Sequence, residues 1–391
     1  MQSIIVLAPN IFIDSKTKFK RYYLVAQFCI FMQHEKFKQL LLEWHKNENR
    51  REMPWKNEKD PYKVWLSEII LQQTRVEQGR GYYEKFIKKY PSIQQLAKAP
   101  DAEVFKLWEG LGYYTRCKNL LYTAKFIAAK YDGKFPDRYE TIASLKGIGP
   151  YTAAAIASFC FNLPYAVVDG NVFRILSRVF GIAVPIDGTE GKKIFRRLAA
   201  EVLDAKNPGL FNQAIMDFGA TVCKPLIPAC AVCSLNSKCF AFKNAKVNAL
   251  PIKRRILKKK LRWFSYFIVE VDGRILVRKR TGRDIWQNLF EFYLIETPTN
   301  PLWSNKSVSD FLKNQFNIRE FSIEEITQAT PQHLTHQHIK GYFIRVQLIG
   351  IPRMLRSEEN QWVEPFFIKR LAFPGFINQY IRNKKLRPAL F

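Results

Sequence analysis

The chain has 391 residues, 47% apolar and 25% charged, a balance typical of globular material and long enough for two or three compact units. Its 62 Lys and Arg against 34 Asp and Glu give a formal charge of +28, a field suited to a polyanion, of which nucleic acid is the commonest. Apolar runs fall short of the about 18–20 residues that span a bilayer, and no long basic amphipathic helix marks a membrane surface as the partner.

Residues 1–31 carry a basic patch and a short apolar run, "KTKFKRYYLVAQFCIFM". No small-residue cleavage site follows, so the segment reads as an N-terminal extension without a convincing targeting signal, upstream of a start at Met32. The protein is expected to be cytoplasmic. From 32 to about 242 the pattern is helical, as in "EKFKQLLLEWHK" and "PDAEVFKLWEGLG", with stops at Gly and Pro.

In "PYKVWLSEIILQQTRVE", positions 62, 65, 66, 69 and 70 form one apolar helix face. Glu68 flanks that stripe, and Gln72 and Gln73 fall where it should continue. Two readings stay open: the helix ends at Leu71 with the amides in solvent, or Glu68 edges a cavity where partial burial raises its pKa for proton donation. "LKGIGPYTA" sets Gly147 and Gly149 around Ile148 before an Ala-rich helix, a turn whose backbone N–H groups can face an anion. In "AVVDGNVFRI", Asp169 is a helix N-cap or an acid at a site mouth, with Asn171 two residues on.

Seven cysteines are present, and four of them, Cys223, Cys230, Cys233 and Cys239, follow C-x6-C-x2-C-x5-C. One compact thiolate loop suits an iron–sulfur cluster, with zinc and plain structural cysteines as the alternatives. Residues 243–262 are rich in Lys and Arg, contain no acid, and read as a basic linker. After Trp263 the period changes: "WFSYFIVEVDGRILVRKR" is two strands about an Asp272-Gly273 turn. "FEFYLIE" and "YFIRVQLIG" add strands, while "VSDFLKNQF" and "FINQYIRNKK" are helical, so 263–391 is a separate α+β domain. "HLTHQHIKG" holds three of the five histidines, without a cysteine or acid to complete a zinc site.

Taken together, L-x-G-I-G-P-Y-T-A, V-D-G-N and the cysteine loop resemble the helix-hairpin-helix DNA glycosylases with an iron–sulfur cluster. "PYKVWLSEIILQQTRVEQ", "GLGYYTRCKNL" and "VDGNVFRI" resemble the MutY-type adenine branch, densely over Lys36 to Phe242. The resemblance implies a multidomain protein. Its two-lobed all-α catalytic domain, 32–242, carries a [4Fe–4S] loop at 223–239, and a smaller Nudix-like lesion-recognition domain follows at 263–391.

The resemblance also implies a monomer that excises adenine opposite 8-oxoguanine, or guanine, in double-stranded DNA. Glu68 matches the general acid and Asp169 the carboxylate that stabilises the sugar cation, a two-carboxylate logic shared with glycosidases. Tyr151 and Asn171 match residues that assist at the sugar, and Gln213 one that reads adenine's edge. Gln73 and Tyr113 match the wedge near the oxidised guanine, Gly147 and Gly149 the backbone-gripping hairpin, and Thr335-His336 a lesion-contact loop where Ser-His is common. The lyase branch carries Lys where this chain has Tyr151, so base removal without strand cleavage is expected. The C-terminal domain lacks the R-E-x2-E-E core of a hydrolytic Nudix box.

Overall fold

A computed structural model of the protein describes residues 32–254 and 259–383. The N-terminal extension and linker residues 255–258 lie outside the described residues, as do 384–391. The chain divides into two units, 1–52 with 150–254 and 53–149 with 255–391. The helical stretch read as one domain therefore contributes to both.

In the first unit, α1 (32–47) buries Phe37, Leu41 and Trp44. Phe37 meets Phe180 edge-on, and Trp44 meets Phe218 at 4.8 Å. The later helices are α8 (Pro150–Phe161), α9 (Gly170–Phe180), α10 (Thr189–Val202), α11 (Pro208–Thr221) and the short α12 (Phe240–Lys243). The run Thr152–Ser158 of α8 is buried throughout, small side chains letting neighbouring helices approach closely. Buried Asn212 on α11 accepts from Val167 N and donates to Ser158 Oγ and Tyr165 O, which fastens the loop leading into α9. The start of the basic linker is also held here: Ile186 N donates to Ile252 O, and Leu250 is buried.

In the second unit the helices are α2 (Pro61–Leu71), α3 (Val76–Lys89), α4 (Ile93–Lys98), α5 (Asp101–Trp108), α6 (Thr115–Lys130) and α7 (Tyr139–Ser144). Asp60 caps α2 by accepting from Tyr62 N, with Pro61 at the first helical position. The stripe read from the sequence, Tyr62, Trp65, Leu66, Ile69 and Ile70, is buried.

The same unit contains a mixed sheet of β1 (Lys260–Val271), β2 (Arg274–Lys279), β3 (Phe290–Glu291), β4 (Tyr293–Thr297), β5 (Phe321–Gln328), β6 (Gln332–His333), β7 (Gln337–Leu348) and β8 (Asn360–Val363). Its main order is β3-β2-β1-β7-β5, with β1 and β7 parallel and the other pairs antiparallel. The Asp272-Gly273 turn joins β1 to β2 with both residues left-handed. Alternation along β1 builds two cores. Phe267 and Val269 pack with Val308 and Leu312 of α13 (Asn305–Phe316), while Phe343 of β7 stacks on Tyr380 of α14 (Gly375–Asn383). The expected helical and α+β parts are thus both present.

Candidate active site

Helix α2 stops at Leu71 and Gln73 is exposed with φ +60°, as the first reading of this stretch required. Glu68 is nonetheless 8% exposed, so the acid is buried although the stripe does not continue. Arg116 of α6 closes the end of α2. Its guanidinium donates to the carbonyls of Ile69, Ile70 and Gln72 at 2.6–2.9 Å, and to Gly112 O at 3.2 Å. It also lies over the rings of Trp108 and Tyr113. Burial lowers its pKa to about 10, and the array of carbonyl acceptors offsets the cost of burying the charge. One side chain thus braces the Glu68 helix, the Gln73 turn and Tyr113. Nothing in the sequence pattern marks it, because its partners lie 4 to 47 positions away.

Tyr113 is 41% exposed, with φ +48°. Its hydroxyl hydrogen-bonds Thr335 Oγ1. Thr335 and His336 form the exposed tip between β6 and β7, where Leu334 N donates to Gln337 O. Two positions read separately as lesion contacts, 222 residues apart, therefore meet in one unit. His333 and His338 stack behind the tip at 4.0 Å.

The hairpin between α7 and α8 buries Ile148 and exposes Gly147 and Gly149. Gly147 has φ +83°, and a Cβ there would come within 2.7 Å of Asn119 Cβ, so the fold itself demands glycine. Gly149 has neither a left-handed φ nor a heavy atom within 4 Å of a built Cβ. Packing does not require glycine there, and the open space suits close approach of another backbone.

In the first unit Asp169 caps α9, its Oδ1 accepting from Asn171 N at 2.9 Å and Val172 N at 2.8 Å. Its Oδ2 accepts from Asn171 Nδ2 at 2.8 Å. The cap reading holds, and this capping carboxyl is also perturbed. Burial pushes its pKa up, against the lowering effect of the Val172 and Asn171 hydrogen bonds and the Arg174 charge. Arg174 donates to Asn171 Oδ1 and Gly219 O at 2.7 Å, and through Nε to Cys223 O at 2.7 Å. One turn on, Arg178 donates to Lys224 O and Pro225 O and lies 3.5 Å from Cys223 Sγ. Two arginines on one face of α9 therefore tie the Asp169 turn to the cysteine loop, a role the sequence reading missed.

Tyr151 donates its hydroxyl to Met216 Sδ at 3.3 Å. Gln213 donates Nε2 to Asp217 Oδ1 at 2.9 Å. Cys223, Cys230, Cys233 and Cys239 line one cavity with Val179, Phe218 and Leu235. Burial pushes the Cys233 thiol up to about 12, and the three neighbouring thiols add to the rise. Four thiols gathered in an apolar pocket, with a guanidinium beside one sulfur, are a soft donor set whose thiolate forms suit a cationic iron–sulfur core. Among the described residues no group of three or more His, Cys, Asp or Glu side chains is arranged so that it could hold a metal ion.

In the sheet domain the acids near the incomplete Nudix box are paired with arginine. Asp284 and Glu296 flank Arg262, and Glu291 is held by Arg278 and Arg280.

In chain order the α7–α8 hairpin, the capped Asp169 carboxyl, the four-cysteine loop and the mixed sheet follow one another, the sequence of parts expected of a base-excision protein of the helix-hairpin-helix class. Residues 66–203 match the HhH-GPD superfamily of base excision DNA repair proteins, and residues 265–383 match the NUDIX domain. The adenine DNA glycosylase of Buchnera aphidicola subsp. Baizongia pistaciae is 37% identical over 322 residues, covering 81% of this chain and 88% of that protein. That of Buchnera aphidicola subsp. Acyrthosiphon pisum is 39% identical over 258 residues, covering 66% and 73%. A thermostable thymine-DNA glycosylase structure superposes with a TM-score of 0.51 at 28% identity, over 55% of this chain and 98% of that one. The chain belongs to the adenine DNA glycosylase family within the HhH-GPD superfamily.

Proposed function

We propose that this enzyme removes adenine paired with 8-oxoguanine or guanine in double-stranded DNA and leaves an abasic site without cutting the strand. The observation that carries the reading is the Asp169 turn, a carboxyl with a raised pKa held by Asn171 and Arg174, in a chain whose position 151 is tyrosine rather than lysine. The extruded adenine accepts a proton from Glu68, the C1′–N9 bond breaks, and its electron pair leaves with the neutral base. Asp169 as carboxylate faces the sugar cation that remains until water adds. Asn171 orients the carboxylate and Tyr151 closes the sugar side. With no amine at 151, no Schiff base forms and the strand stays intact.

Gln73, Tyr113, Thr335 and His336 take the oxidised guanine, the threonine offering the hydroxyl that serine would. Gly147 and Gly149 take the backbone. Cys223, Cys230, Cys233 and Cys239 would hold a [4Fe–4S] cluster, which supplies structural cross-linking of the loop.

The test is an A·8-oxoguanine duplex labelled on the adenine strand and analysed with and without hot alkali, beside A·T and T·G duplexes. Breakage of the A·8-oxoguanine strand only after alkali supports the reading. Breakage without alkali refutes the lyase-free assignment. Activity on T·G with none on A·8-oxoguanine refutes the substrate.

A further inference from the structure

Asp217 has no part in the roles above, yet it is fully buried and accepts from at least three side-chain donors. Its Oδ2 accepts from Asn49 Nδ2 at 2.8 Å; its Oδ1 accepts from Arg51 Nη1 at 2.8 Å and Gln213 Nε2 at 2.9 Å. The Asn49 amide is itself fixed, since Oδ1 accepts from Arg51 N at 3.0 Å and Nδ2 also faces His45 Nδ1 at 2.9 Å. A carboxylate paired with a guanidinium only accepts. Gln213, one turn earlier on α11, can therefore turn only its amide nitrogen inward. Its Oε1 then points away from Asp217, and among the described residues it has no hydrogen-bond partner, on a side chain that is half-buried.

We propose that Asp217, with Arg51 and Asn49, is a positioning residue that locks Gln213 as a hydrogen-bond acceptor toward the flipped base. The site then selects purines bearing an exocyclic amine at C6 over 6-oxopurines. This rests on the adenine reading above. Adenine offers an N6–H donor on the edge where guanine and hypoxanthine offer an O6 acceptor. An acceptor facing Oε1 leaves two oxygens opposed and unpaired, which a site built around the donor rejects strongly. The same polarity spares the guanine of an A·G mispair.

The test compares single-turnover release of adenine, hypoxanthine and unsubstituted purine, each opposite 8-oxoguanine, by wild type, Asp217→Ala and Asp217→Ala/Gln213→Glu. Asp217→Ala frees the amide to rotate, so the adenine-to-hypoxanthine ratio narrows about tenfold or more. Release of purine, which presents neither donor nor acceptor at C6, serves as the reference. The double variant restores to Arg51 a carboxylate that can only accept, so the adenine preference returns. Because Ala at a buried charged position can unfold the unit, the double variant also stands alone. Loss of its adenine preference overturns the proposal, as does a parallel fall in all three bases for Asp217→Ala with an unchanged ratio. A wild type that releases no adenine sinks the substrate reading and this inference with it. A wild type that does so, with the Asp217→Ala ratio unmoved, sinks only the inference.

Discussion

At Asp169 two physical effects oppose each other. Burial favours the neutral carboxyl, while the donors of the α9 cap and the Arg174 guanidinium favour the carboxylate; burial wins, so the group ionises above the usual carboxylate range. A carboxylate is what stabilises a sugar cation, so the excision rate should fall as pH drops through that raised value. Arg174→Met removes a contribution that lowers the pKa, and it should move the acid limb of the single-turnover rate to higher pH. A limb that stays in place or moves down would show that Arg174 does not act on Asp169. The stability sign follows from the same shift. The unfolded chain ionises first, so the contribution of this group is present at low pH and is lost as pH rises through the folded value. A cap and a site acid look alike in "VVDGN", because both need an oxygen at a helix start. Only the surroundings of the carboxyl separate them, and here the cap is also buried enough to raise its pKa.

At the scale of elements, the hairpin between α7 and α8 separates two glycines that a sequence motif treats alike. Gly147 sits in the left-handed region against Asn119, so Gly147→Ala should cost about 1–2 kcal/mol in thermal or denaturant unfolding. Gly149 has open space around it. Gly149→Ala should leave the unfolding midpoint unchanged while weakening DNA binding, measured by titration of a labelled duplex. Equal loss of stability in the two variants would mean that Gly149 serves packing rather than the backbone of a ligand.

Helices α2, α8 and α9 were legible because their caps, stops and stripes are local. The braces between elements were not. Arg116 reaches carbonyls across α2, and Arg174 and Arg178 reach Cys223 O and Lys224 O, 49 and 46 residues on. The partners are backbone carbonyls, which every residue carries, so the sequence holds no complementary letter to find. Asp217 escaped for a related reason: its i−4 partner Gln213 is visible on the helix, but Asn49 and Arg51 come from a segment about 170 residues earlier.

Over the whole molecule, an excess of 28 positive charges and a family shared with adenine DNA glycosylases agree on DNA as the partner. The chain carries two kinds of recognition in different elements. The helical segments hold Glu68, Asp169 and Gln213, to which the proposed acid, sugar-facing and base-reading roles fall, and the β6–β7 tip brings Thr335 to Tyr113. The strands and turns of the sheet were readable from alternation and from Asp272-Gly273. That the tip would meet Tyr113 was not, since a pair 222 residues apart leaves no periodic trace.

The central claim is that base loss depends on proton donation by Glu68, and one comparison tests it most directly. Single-turnover adenine release from an A·8-oxoguanine duplex is measured for wild type and Glu68→Gln, with duplex affinity measured on the same samples. The account predicts retained binding and a release rate lower by about 100-fold or more, the usual worth of a positioned general acid. Release at the wild-type rate by the glutamine variant would contradict it.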